Sequence, residues 1–101
     1  MIIKISKKIE KSFRDQRSLK ADYGRLTDRI EMVLSVLRLA DNLDEVPNVP
    51  PTRRHKLTGN FQGCWALDID KNRRMIVKPN ANSDDLKEID ELEIIDIVDY
   101  H

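Results

Sequence analysis

The sequence is most informative first for what it lacks. One cysteine, Cys64, stands in 101 residues, so no internal disulfide can form and a reducing compartment is the simple expectation. No apolar run approaches the length of a membrane span, and no signal-peptide pattern opens the chain, so a cytoplasmic protein without membrane contact is expected. There is no internal repeat and no low-complexity segment. Gly59 and Gly63 form no phosphate-binding loop, because no helix follows them. No close-spaced His, Cys or acidic ligands suggest a metal site, and no cofactor motif is present. Histidine is scarce as well: only His55 and His101.

What remains is a single domain over residues 1–101, with 40% apolar and 36% charged residues. The formal net charge of zero hides an asymmetry. Residues 1–80 carry 17 Lys/Arg against 10 Asp/Glu, a net of +7, whereas residues 81–101 carry one Lys against eight acids, a net of −7. The basic residues concentrate in Lys4 to Lys20 and in Arg53 to Lys78. A polyanion partner fits if the acidic tail folds away from the basic face. The plainer alternative is mutual neutralisation across the fold.

Taken in order, Met1 to Ile5 is a short apolar strand. Ser6 is placed to cap a helix with Ile9 and Phe13 on one face, and Arg17 to Lys20 reads as a bend. Tyr23, Leu26, Ile30, Val33, Leu34, Leu37 and Ala40 recur at three- and four-residue steps, which predicts a second helix with a continuous apolar stripe. Gly24 lies inside that pattern. Pro47, Pro50 and Pro51 mark an ordered loop. Strands follow: Arg53 to Leu57, a turn at Thr58-Gly59-Asn60, then a hairpin from Trp65 to Lys78 turning at Asp70-Lys71-Asn72. In the first arm Trp65, Leu67 and Ile69 point one way, and Ala66, Asp68 and Asp70 the other. Residues 79–90 read as a polar surface excursion. Leu92 to Val98, apolar on both alternating faces, predicts an interior strand. The fold class is α+β, with helices covering one face of a sheet and the other face available for function.

The final strand runs into Asp99-Tyr100-His101, an acid, a phenol and an imidazole at the rim of a rigid element. His55 lies among Arg53, Arg54 and Lys56. Two imidazoles near a cationic cluster match what RNA cleavage by its own 2′-hydroxyl needs. One group removes the hydroxyl proton, one protonates the leaving 5′ oxygen, and fixed positive charge stabilises the pentavalent phosphate. Arg73 and Arg74 are neighbours on a strand and face opposite ways, so at most one serves such a site. Plainer roles compete: a His in a basic loop is usually solvated surface, and a terminal His is usually frayed. Asp99, His101 and His55 as a metal set, and Cys64 as a nucleophile with His55, both lack a supporting motif. Cys64 beside Trp65 reads as a packing residue.

His55-Lys56-Leu57-Thr58-Gly59, Gly63-Cys64-Trp65-Ala66-Leu67, Asn72-Arg73-Arg74-Met75-Ile76 and the ending Val98-Asp99-Tyr100-His101 together resemble the HigB branch of the RelE-like toxins of type II toxin–antitoxin systems. The likeness is strongest over residues 52–78 and 95–101. It implies a RelE-like α+β domain, with two N-terminal helices on one face of a small, mostly antiparallel sheet of four to five strands. It also implies a ribosome-dependent, metal-independent endoribonuclease that cuts messenger RNA in the 30S A site and so inhibits translation. By position His55, Asp99, Tyr100 and His101 match the family's catalytic group, and Arg74 matches the Arg of its Asn-x-Arg-Ile segment. Proton transfer falls to His55 and His101, with base and acid not assigned between them. Asp99 orients or balances an imidazole, and Tyr100 positions the phosphate or stacks a base. Arg53, Arg54, Lys56, Arg73 and Lys78 are the matching RNA-binding cations. The implied partner is a helix-turn-helix, HigA-like antitoxin, with operator DNA bound only through it. The chain departs from the family at Thr58, where relatives often carry Lys, at Phe61, and in the long acidic stretch 79–90. Two alternatives use the same scaffold: a toxin that inhibits gyrase by binding, and a decayed homologue kept for partner binding.

Overall fold

The computed structural model describes residues 1–99; Tyr100 and His101, both assigned above to the candidate site, lie outside the described residues. The sheet is built around β5 (Glu91–Asp99). Its β-branched, Gly-free run has a hydrogen-bonded neighbour on either side, as a strand apolar on both faces requires. On one side β1 (Ile2–Ile5) pairs with it in parallel, Ile5 opposite Ile94. On the other, β4 (Arg73–Pro79) pairs antiparallel, with β3 (Trp65–Asp68) and the two-residue β2 (His55–Lys56) beyond it. The strand order is β1-β5-β4-β3-β2. A bulge opposite Ile76 and Val77 leaves Ile95 of β5 without a paired partner residue in β4.

A parallel β1–β5 pair needs a long crossover. The chain uses it for α1 (Gln16–Tyr23) and α2 (Thr27–Leu39), both on one face of the sheet. Ile30, Val33, Leu34 and Leu37 of α2 pack with Leu67, Ile69, Met75, Val77, Leu92 and Ile94 of the sheet. Each fully buried aliphatic side chain contributes about 1.5–3 kcal/mol. On the outer face, Cys64, Ala66 and Ile76 form a second, smaller cluster edged by Leu57, Ile95 and Val98.

The helical half differs from the sequence expectation at its start. Residues 7–14 form successive turns instead of a helix, because Ser6 is committed elsewhere. Its N–H donates to the Ile94 carbonyl at 3.0 Å and its hydroxyl to the Ile95 carbonyl at 2.8 Å, so the side chain is turned onto β5 and makes no capping bond to the turns that follow. Arg17 to Lys20 is helical and not a bend, because Asp15 supplies the cap: its carboxylate accepts from Ser18 N–H at 2.7 Å. The apolar stripe from Tyr23 to Ala40 is divided between the two helices. Gly24 takes φ +52, a backbone conformation open to glycine, and ends α1 there.

The bond from Ser18 N–H holds the Asp15 carboxyl below the ordinary carboxylate range. A depressed folded-state value means that the stabilisation is present above the unfolded carboxylate's pKa and is lost as pH falls through the folded one. Asp15→Ala should therefore lower the melting temperature at neutral pH, with the gap closing in acid. Circular-dichroism melts across a pH series test this; a gap that stays constant into acid would assign the effect to something other than the cap.

Candidate active site

The register places functional side chains on the outer face in two ranks. His55 lies opposite Ala66, Ala66 opposite Ile76, and Ile76 opposite Asp96. Two residues further along β3, Asp68 lies opposite Arg74, which lies opposite Val98. Since side chains alternate along a strand, His55, Asp68 and Arg74 share the face turned from the helices. His55 and Arg74 are separated by about 10 Å across two strand spacings and about 7 Å along the strands.

His55 is partly buried, and its Nδ1 lies 2.7 Å from the Arg53 carbonyl oxygen. A carbonyl only accepts, so Nδ1 carries a proton, and in the ring's neutral form the lone pair is at Nε2. That Nε2 is shut off from solvent and has no hydrogen-bond partner among the described residues. Arg53, which supplies the carbonyl, has φ +46, a conformation costing about 1–3 kcal/mol for a residue with a side chain. It is held there from several sides. Its Nε and Nη2 donate to the two carboxylate oxygens of Asp68 at 2.7 and 3.1 Å, and its N–H donates to the Val49 carbonyl at 2.9 Å. The Asp68 carboxylate also lies 4.0 Å from Arg74 Nε. Two guanidinium groups therefore flank the one Asp68 carboxylate on the face that His55 shares.

The other candidate residues are placed differently. Asp99 lies opposite Arg73, and its carboxylate pairs with Arg73 Nε at 2.7 Å. Both share the face of Met75 and Ile97, which is the helix side, so Asp99 does not reach His55. The register thus selects Arg74 over Arg73 for the outer face. Arg54 is bound into the scaffold: its Nε donates to the Val46 carbonyl at 2.8 Å and its guanidinium lies 5.3 Å from the Trp65 ring centre. Lys56 is exposed, but it lies opposite Trp65 and so on the other face from His55. Lys78 is exposed at the far end of the Arg74 rank. Burial pushes the Cys64 thiol up, partly opposed by the Lys78 charge, which keeps it protonated and in the packing role. Among the described residues, no three His, Cys, Asp or Glu side chains gather as a metal-binding group.

No family model and no curated protein matches the chain. Solved structures do match. A YoeB/ParE toxin from Agrobacterium tumefaciens superposes with a TM-score of 0.58 over 100% of both chains at 16% identity. YafQ from E. coli strain BL21(DE3) gives 0.62 over 94% of this chain and 88% of its own, at 14% identity. The YoeB–YefM complex from Staphylococcus aureus gives 0.56 over 100% of this chain and 97% of that one, at 18% identity. The fold is that of the RelE-like toxins. At these identities the likeness is one of fold and carries no particular branch or activity with it.

Within this RelE-like frame, Asp68 is the site residue that sequence reading passed over. Alternation already put it on the Ala66 side of β3, away from Trp65, and an acid inside an otherwise apolar strand was the available signal. Arg25, Arg29 and Lys71 were also missed as a group. With Asp68 and Asn72 they line an open cleft of about 560 Å³ at the β3–β4 turn. They come from two distant segments, so no spacing in the sequence links them. Chemically, the outer face combines an imidazole with guanidinium groups, and the cleft beside it mixes Arg25, Arg29 and Lys71 with Asp68 and Asp70.

Proposed function

We propose that this chain is the toxin of a type II toxin–antitoxin pair and an endoribonuclease acting on messenger RNA in the ribosomal A site, of the HigB kind. The observation that carries the reading is His55, whose Nε2 has no hydrogen-bond partner among the described residues, on the sheet face it shares with Arg74 and the Asp68 that two guanidinium groups flank. Nε2 takes the proton of an RNA 2′-hydroxyl, and that oxygen attacks the adjacent phosphorus. The 5′ oxygen leaves with a proton, which falls to His101 once His55 is taken as the base, and a 2′,3′-cyclic phosphate remains. Arg74 stabilises the charge that builds on the phosphate. The chemistry needs no metal, since imidazoles move the protons. Tyr100 keeps its proposed role at the phosphate or base. The ion pair with Arg73 favours charge balance at the end of β5 as the part played by Asp99.

The partner in this reading is a helix-turn-helix, HigA-like antitoxin, through which operator DNA is reached. A fold relative solved as a toxin–antitoxin complex, YoeB with YefM, supports an antitoxin of some kind. The test is induction in cells, with growth and messenger 5′ ends compared between the native chain and His101→Ala. Arrest with codon-phased cuts is expected, and both should be lost in the variant. Arrest without such cuts would replace the nuclease with a toxin that acts by binding. Purified RNA, with and without ribosomes, then separates a ribosome-dependent enzyme from a free ribonuclease.

A further inference from the structure

Asp68 takes no part in the chemistry above, yet the backbone and side chain that hold His55 converge on it. We propose that Asp68 is a positioning residue: by clamping Arg53 it keeps the His55 ring proton on Nδ1 and leaves Nε2 bare. This rests on the reading of His55 as the proton acceptor only for its catalytic consequence; the tautomer itself is a separate observable.

The linkage runs through one peptide unit. Asp68 N–H donates to the Thr52 carbonyl at 2.8 Å, which ties the chain just before Arg53 to β3. The Asp68 carboxylate then grips the Arg53 side chain through both of its oxygens. Between these two holds the Arg53 backbone sits at φ +46. In the trans peptide joining Arg53 to Arg54, the carbonyl and the N–H point in opposite directions. The N–H donates to the Pro47 carbonyl at 2.9 Å, and the carbonyl accepts from His55 Nδ1 at 2.7 Å. One immobilised peptide plane therefore sets the ring's proton. An imidazole in water prefers its proton on Nε2, so the opposite tautomer has to be imposed by an acceptor at Nδ1. Losing the Asp68 grip weakens the hold on Arg53 at positive φ, and relaxation toward ordinary negative φ swings that carbonyl away.

Asp68→Asn keeps the shape but loses the charge and one of the two acceptor oxygens. Nitrogen-15 NMR of the His55 ring, at a pH where it is neutral, should find the native protein protonated on Nδ1. The Asp68→Asn protein should be protonated mainly on Nε2, and kcat for RNA cleavage should fall at least about tenfold with KM little changed. Arg53→Gly leaves positive φ accessible but removes the clamp, and should shift the proton in the same direction. It also decides the matter if Asp68→Asn does not fold. In the Arg53→Gly background, adding Asp68→Asn should move the tautomer no further. A folded Asp68→Asn protein that retains the Nδ1 proton would overturn the proposal, and so would an undiminished Asp68→Asn effect in the Arg53→Gly background. A tautomer shift in a chain that cleaves no RNA would uphold the positioning role and end the nuclease reading instead.

Discussion

Glutamine in place of His55 should lower the single-turnover rate of RNA cleavage by about 10²- to 10⁴-fold, the range lost when a positioned general base is removed. Glutamine still hydrogen-bonds, but it does not accept a proton at neutral pH. Arg53, Arg74 and the cleft cations are untouched, so RNA affinity should stay within about twofold. The loss should therefore fall on the chemical step. Rates measured with enzyme in excess over RNA, beside a binding titration, separate the two. A variant that cleaves within about threefold of the native rate would remove His55 from proton transfer. An equal loss in affinity and in rate would make it a binding residue.

The largest stability effect should come from Ile94→Ala, at about 2–5 kcal/mol. Ile94 is 0% exposed, lies opposite Ile5 of β1 and Val77 of β4, and packs into the core beneath α2. Hydrogen bonds on both sides of β5 prevent the strand from closing in on the cavity. Leu39→Ala supplies the control, since Leu39 on α2 is 84% exposed and its truncation should cost less than about 0.5 kcal/mol. Urea denaturation of the three proteins measures the difference. Against a total of about 5–15 kcal/mol for a domain of this kind, the first change should visibly shift the unfolding midpoint. Comparable losses at both positions would contradict the packing described for β5.

The parts of the fold that could be read in advance were those with a period. The α2 stripe, the β3–β4 hairpin and the interior character of β5 follow from spacing, because burial imposes that spacing on any helix or strand. Ser6 shows where such reading fails. A serine before an amphipathic run is an ordinary cap, but here its hydroxyl is taken by the Ile95 carbonyl in the last strand, 89 positions away. Gly24 is similar: a helical pattern continues through it, while its backbone turns. In the candidate site, His55 and Arg74 were singled out by type and by their neighbours, and the register puts both on the outer face. Asp99 was assigned to the same group, yet the register turns it to the helix side and gives it to Arg73.

The order of residues alone therefore determined the α+β class and where the apolar periods of α2, the β3–β4 hairpin and β5 fall. Tertiary structure decided which of these meet. A strand's period tells which residues share its face, but only pairing between strands tells which face and rank they share with another. That is why Asp68, unremarked in its own strand, stands between two arginines in the folded chain, and why a strained arginine carbonyl sets the proton of His55.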